Sequence, residues 1–247
     1  MSLPDANHDL IGLPIEELDT PALLLDRAAC QGNLQAMADF FAGAATQLRP
    51  HFKNHKCTAL ARRQLEAGSA VGMTCAKLGE AEVLAEAGIT DILIANQVVG
   101  RRKLRRLAAL ARHVDLKVAV DDPGQINWLS EAIVAAGASL AVLVEVDIGM
   151  GRCGAAPGEP ALELARAVVD AKGLHFLGLQ AYEGHVVYNV DAEQRSRGAR
   201  EAMQRVLDTR GLIERSGFEV GVISGGSSAT YRTTGRLEGI DEIQAGS

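Results

Sequence analysis

One arrangement recurs along the 247 residues: an alanine-rich amphipathic stretch ends at a glycine, and a short aliphatic run follows. The glycines are Gly68, Gly88, Gly137, Gly173 and Gly217. Helices commonly end in a left-handed residue, a conformation glycine adopts without a side-chain penalty. The runs that follow include 91–95, 140–146 and 218–223; 116–120 is another, without the glycine before it. They are continuous rather than alternating, as strands buried on both faces are. Between them, Leu104, Leu107, Ala108 and Ala111 share one helical face, as do Ala199, Ala202, Met203, Val206 and Leu207. Eight strands are expected, near 22–26, 49–53, 70–75, 91–95, 116–120, 140–147, 174–181 and 219–224. Strict alternation of strand and helix implies right-handed crossovers and a parallel sheet. The expected fold class is therefore α/β. Eight units in this length fit a (β/α)8 TIM barrel, a fold of about 250 residues. An open doubly wound sheet is the alternative, but no Gly-x-Gly-x-x-Gly follows the first strand, which weakens a dinucleotide-binding version.

Composition removes several function classes. Apolar residues are 47% and charged residues 23%, which excludes wholesale disorder. A formal net charge of -6 argues against a nucleic-acid partner and against a polybasic membrane anchor. The longest apolar stretch, 132–144, contains Gly137 and Ser139 and is too short to span a bilayer. The first ten residues carry acidic groups and no apolar core, unlike a secretory signal. Cys30, Cys57, Cys75 and Cys153 show no Cys-x-x-Cys pair, and free thiols suit the cytoplasm.

In a barrel, chemistry sits where strands end. The expected second strand runs into Arg49-Pro-His-Phe-Lys-Asn-His-Lys56. In extended backbone His51, Lys53 and His55 point to one side. A desolvated lysine loses basicity, and its neutral amine forms Schiff bases with carbonyls; the alternative is a basic surface loop. His51 and His55 also have the spacing of a helical metal pair, although Pro50 makes a helix awkward there. The expected eighth strand ends in Ser224-Gly225-Gly226-Ser227-Ser228, whose small residues let backbone N–H groups approach an anion. Loops after strands seven and eight of barrels commonly bind phosphate. Gln244-Ala245-Gly246-Ser247 adds a second small-residue turn; a flexible surface turn is the alternative for both. A phosphate site with a lysine on an early strand points to pyridoxal 5'-phosphate (PLP), with Arg152 as a partner for the ring nitrogen or an ordinary rim ion pair. Tyr182 and His185 are candidates to pack on the ring or carry protons.

These segments, with Asp19-Thr-Pro-Ala-Leu-Leu-Leu-Asp26, Asp147-Ile-Gly-Met-Gly-Arg-Cys-Gly154 and Gln180-Ala-Tyr-Glu-Gly184, resemble the D-threonine aldolase family. That family includes 3-hydroxy-D-aspartate aldolases, has D-serine dehydratases as relatives, and shares the alanine-racemase-like, fold-type III barrel. The resemblance runs from about residue 18 to 247, leaving 1–17 as an extension and 18–247 as a PLP-binding barrel. It implies that Lys53 is the Schiff-base lysine and that Arg152 faces the ring nitrogen. Ser224, Gly225, Gly226, Ser227, Ser228, Gly246 and Ser247 are then the phosphate residues, and Gln180 and Tyr182 line the cofactor. His51, His55 and His185 are candidate bases for the β-hydroxyl. The implied reaction is cleavage of a D-β-hydroxy-α-amino acid to glycine and an aldehyde. The alternatives are a D-serine or D-hydroxyaspartate dehydratase and a non-catalytic PLP-binding barrel. The family's phosphate turn reads Gly-Gly-Gly-Thr-Gly, against Gly225-Gly-Ser-Ser-Ala229 here. Its β-rich second domain, which carries a divalent metal site (Mn2+ or Mg2+), is not in this sequence, so a fragment of a longer protein is expected. No metal ligands are assigned within this chain, and a homodimer is implied by resemblance alone.

Overall fold

A computed structural model describes residues 10–246. Eight parallel strands form one sheet: β1 (Gln47–Leu48), β2 (Met73–Cys75), β3 (Asp91–Ile94), β4 (Asp115–Val120), β5 (Leu140–Val146), β6 (Leu174–Ala181), β7 (Val222–Gly225) and β8 (Glu242–Ile243). Their spatial order is β1-β8-β7-β6-β5-β4-β3-β2, so consecutive strands from β2 to β8 are neighbours and the first lies beside the last. The helices are α1 (Arg27–Phe41), ahead of β1, then α2 (Thr58–Glu66), α3 (Leu78–Glu86), α4 (Arg101–Leu110), α5 (Pro123–Ala136), α6 (Glu159–Asp170), α7 (Ala192–Arg215) and α8 (Tyr231–Thr234), one in each crossover.

The sheet curls until its ends meet. Beyond Leu48 the chain has a neighbour on each side. Arg49 and His51 donate their N–H groups to the Ile243 and Ala245 carbonyls at 2.9 and 3.0 Å. On the other side Val71 donates to Leu48, Thr74 to Pro50 and Phe52 to Thr74, at 2.7–2.9 Å. Bridges at Leu48↔Ala70 and His51↔Thr74 mark the same seam. Side chains reinforce it. Buried Arg49 donates to both carboxylate oxygens of Glu242, at 2.8 and 2.7 Å, and to Asp91 at 2.5 Å. Lys117 reaches Asp91 at 2.8 Å and Asp115 at 2.7 Å. First, third, fourth and last strands are thus tied by one polar chain.

The local signals act as read. All five helix-ending glycines have positive φ. In α5, Asp122 caps the amino end by accepting from Gln125 N, Pro123 opens the first turn, and Gly137 closes the helix at φ 62. β5 is buried at every residue, which explains its unbroken apolar pattern.

One expected strand is absent, and one strand forms where none was expected. Residues 22–26 form no strand, and Leu23, Leu24 and Leu25 are exposed. The apolar run has strand propensity, but the sheet offers no free edge because β1 is already flanked on both sides. The strand that completes the eight is Glu242–Ile243. Lys53 accordingly follows the first strand, and the Ser224 turn ends the seventh rather than the eighth.

Candidate active site

A cavity of about 500 Å3 opens where β1, β2, β3, β5, β6, β7 and β8 end. It is lined by His51 and Lys53, by Arg152, Cys153 and Tyr182, by the Gly225–Ser228 turn with Gln244 and Gly246, and by Asn96 and Gln97. Ser224 is fully buried and does not line the cavity; its hydroxyl accepts from Gln244 Nε2 at 3.0 Å. The same amide donates to buried Gln180 at 3.2 Å. Ser247 lies outside the described residues.

The expected alternation of His51, Lys53 and His55 breaks after His51. Residues 52–55 form a turn, closed by Lys56 N–H donating to Phe52 C=O at 3.0 Å, with Lys56 at φ 50. His55 consequently leaves the site. Its ring contacts Gln64 of α2 at 3.1 Å, stands edge-on to Phe52, and borders a separate cavity beside α1. His185, in the short turn Gly184–Val186, is exposed and does not line the cavity either. Of the three candidate bases only His51 remains there. Burial first, then Lys53 and Lys56, hold His51 down at a pKa of about 3. Its Nδ1 accepts the Lys53 N–H at 3.3 Å. A neutral, hydrogen-bonded imidazole of such low basicity fixes the lysine turn better than it accepts a proton.

Lys53 as a whole is exposed, but its amine is pushed below the usual lysine range, first by partial burial and then by Arg152. Lys56 is exposed and its amine is taken by the Lys53 carbonyl at 2.5 Å, with Glu80 at 3.8 Å; Lys77, at the start of α3, is also exposed. Arg152 stands over the Tyr182 ring, 5.2 Å from its centroid, and 3.7 Å from Glu145. Glu145 is a buried acid inside β5 that also accepts from Gln97 at 2.7 Å and from Cys153 at 3.3 Å.

The turn at the far end demands small residues. A side chain on Gly225 would lie 2.0 Å from the Ala181 carbonyl oxygen, and one on Gly246 would lie 2.5 Å from the His51 carbonyl oxygen. Gly226 has φ +73 and no room beside Ile243. Ser227 N and Oγ meet Thr230 Oγ1 at 3.1 and 2.9 Å, and Ser228 Oγ accepts from Gly246 N at 3.1 Å. Behind lies Glu183, fully buried, its Oε1 at 2.5 Å from Thr230 Oγ1 and 2.9 Å from Thr234 Oγ1. Glu145, Glu183 and Gln244 were not assigned roles from sequence. The first two sit inside strand and motif segments, where only burial marks them. Among the described residues no three His, Cys, Asp or Glu side chains converge as a metal site requires. None of the helices there is long and apolar enough to cross a membrane.

A parallel curled sheet with a lysine after the first strand and a small-residue turn after the seventh places the chain in a defined class. Residues 25–247 match the alanine racemase, N-terminal domain family, and the chain belongs to it. Within that family it is 41% identical, over 96% of its length, to a D-threonine aldolase of Arthrobacter sp. It is 34% identical, over 96%, to a 3-hydroxy-D-aspartate aldolase of Paracoccus denitrificans. The crystal structure of D-threonine aldolase from Filomicrobium marinum superposes with a TM-score of 0.91 at 45% identity, covering 94% of this chain and 63% of that one. The chain spans 62% of the length of the first two relatives.

Proposed function

We propose that residues 18–247 are the closed, PLP-binding (β/α)8 barrel of a lyase that cleaves D-β-hydroxy-α-amino acids to glycine and an aldehyde. D-threonine or 3-hydroxy-D-aspartate is the substrate class, as in the names of its relatives. The observation that carries the reading is the convergence of Lys53, the Arg152–Tyr182 pair and the Gly225–Ser228 turn on one cavity. The donor set fits PLP: an amine of lowered basicity for the aldehyde, an aromatic face and a cation for the ring, and a turn of small residues at the cavity end in which Gly225, Gly226 and Gly246 have no room for side chains. Bound PLP supplies an electron sink for the electrons of the bond that breaks.

The chain's own residues have the following work. Lys53, held by His51 through its backbone N–H, presents an amine that is more often neutral than a free lysine's. Arg152, anchored by Glu145, would put a positive charge near the ring nitrogen of PLP in this cavity and so disfavour a proton there. Tyr182 packs beneath that guanidinium. The Gly226–Ser228 turn and Gly246 would hold the phosphate by backbone approach. His51 stays neutral and positions the lysine. The family resemblance implies that a divalent metal, Mn2+ or Mg2+, would be held by residues outside this chain rather than by its own.

The test is PLP binding followed by turnover. PLP should be captured by the wild-type chain and not by Lys53→Ala. In a chain extended beyond Ser247, D-threonine with PLP and Mn2+ should release acetaldehyde and glycine, with little turnover by residues 1–247 alone, whereas pyruvate and ammonia from D-serine mark the dehydratase alternative. Equal PLP capture by wild type and Lys53→Ala sinks the assignment.

A further inference from the structure

The carboxyl group of Glu183 lies directly behind the small-residue turn, and nothing in the proposed chemistry uses it. It is fully buried, and among the described residues no cation pairs with it. Both hydroxyl contacts, from Thr230 and Thr234, fall on Oε1. Oε2 is buried without a hydrogen-bond partner. An ionised carboxylate so placed carries a heavy desolvation cost with half of its acceptor capacity unused. A neutral acid protonated on Oε1 does not: Oε1 donates to Thr230 and accepts from Thr234, and Oε2 is an ordinary carbonyl oxygen.

That choice propagates. Thr230 Oγ1 takes the Ser227 N–H and also touches Ser227 Oγ, a contact in which either hydroxyl can donate. If Glu183 were ionised, Thr230 would spend its single proton on the acid. Ser227 would then donate to Thr230, turning a lone pair rather than a proton toward the cavity. With Glu183 neutral the chain runs forward. The acid donates to Thr230, Thr230 donates to Ser227 Oγ, and the Ser227 hydroxyl proton is left for the cavity that Ser227 lines. Every hydrogen bond in the relay then points at the place where an anion sits.

We infer that Glu183 is a positioning residue, held as a neutral acid, that acts through Thr230 to aim the Ser227 hydroxyl proton at the phosphate of the ligand in the turn. The inference rests on the reading of that turn as the phosphate end of a PLP site. Independent support comes from burial, which pushes the Glu183 carboxyl above the usual carboxylate range although the Thr230 and Thr234 hydroxyls and the neighbouring backbone N–H groups of Glu183 and Gly226, which make no hydrogen bond to Oε2, act to lower it. An ionisable group beside it is the Tyr182 phenol, itself pushed upward first by burial.

Two ligands separate the inference from its premise: PLP and pyridoxal, which lacks the phosphate. Wild-type protein should bind PLP more tightly than pyridoxal; equal affinity overturns the phosphate reading of the turn, and the inference with it. With that preference in hand, Glu183→Met, which cannot donate to Thr230, should weaken PLP about tenfold, as loss of one hydrogen bond to a charged group does, and leave pyridoxal within about threefold. Glu183→Gln, neutral and able to donate to Thr230, should keep PLP within about threefold of wild type or tighten it. Ser227→Ala should cost as much as Glu183→Met, and the double variant no more than either. The infrared C=O stretch of a protonated acid should be present in wild type and absent from Glu183→Gln. If Glu183→Met does not fold, Thr230→Val, which removes the relay hydroxyl and keeps the shape, stands in for it. A Glu183→Gln variant as impaired as Glu183→Met, or a folded Glu183→Met or Thr230→Val with unchanged PLP affinity, overturns the inference.

Discussion

Arg152 is held from behind by Glu145, a buried carboxylate 3.7 Å from its guanidinium that Gln97 and Cys153 also reach. Half of the arginine side chain is open to solvent, while the acid is almost wholly enclosed. The acid therefore fixes the cation, not the reverse. Glu145→Gln should let Arg152 swing from the Tyr182 ring and lower affinity for PLP and pyridoxal alike by several-fold, about 1 kcal/mol for a half-exposed charged partner. Titration of both ligands checks it; a loss confined to PLP would place Glu145 at the phosphate end instead.

Lys53 capture of an aldehyde requires the unprotonated amine. Its basicity is lowered first by partial burial and then by Arg152. Capture of PLP should rise with pH and level off below the range of a free lysine, which titrates near about 10.4. Arg152→Gln removes a repelling charge, so its curve should shift to higher pH. Borohydride trapping followed by peptide mapping reads the adduct at each pH. An adduct on Lys56, or a curve unmoved by Arg152→Gln, contradicts the expectation.

Gly226→Val places a branched side chain at φ +73, with its first carbon 2.8 Å from Ile243. A left-handed β-branched residue costs about 1–2 kcal/mol before that collision is counted. PLP should weaken by tenfold or more, pyridoxal much less, and the urea midpoint should fall. Unchanged PLP affinity removes the turn from the site.

Acid should loosen the fold through His51. Its folded pKa of about 3 lies below its ordinary value of 6.5, so between those values the unfolded chain binds more protons and stability falls with pH. His55, also lowered, first by burial, contributes in the same direction. From about pH 6.5 down to about pH 5, ahead of most carboxylates, the slope from His51 approaches about 1.4 kcal/mol per pH unit. His51→Asn should flatten most of it in urea titrations; an unaltered slope would mean His51 protonates freely in the folded protein.

Arg49→Ala leaves the Glu242 and Asp91 carboxylates without their shared cation at the seam of the sheet. Breaking a buried pair from one side costs about 3–5 kcal/mol. A drop of that size in urea unfolding free energy is expected, with PLP binding lost alongside it.

What the sequence made legible followed from how strongly a residue declares itself locally. Gly137 after an alanine-rich stretch and the unbroken 140–146 run need no partner to be read, and both came out as expected. Lys53 and Gly226 declare chemistry by type, and the fold brings them to one cavity. Residues 22–26 misled because an apolar run states a propensity but not whether an edge is available to pair with. Glu242–Ile243 escaped notice because a two-residue strand beginning with a charged side chain looks like a loop. Its charge is met by Arg49, 193 positions away in the chain. His55 was misplaced because alternation was carried through a turn that one backbone hydrogen bond closes. Glu145 and Glu183 look like ordinary acids until their burial is known.

The seam between β1 and β8 also says when the site can come into being. The lysine turn leaves one side of that seam and the Gln244–Gly246 wall leaves the other, with Gly246 against the His51 carbonyl. Residues near position 50 and near position 245 must therefore meet before the cavity has both walls. A growing chain has no complete cavity until nearly all of the sheet has been made. Contacts so distant in sequence are slow to form because the whole intervening loop must be closed first. Any ligand that touches both walls favours the closed sheet over the open one by mass action, so occupancy of the cavity and completion of the fold become a single equilibrium.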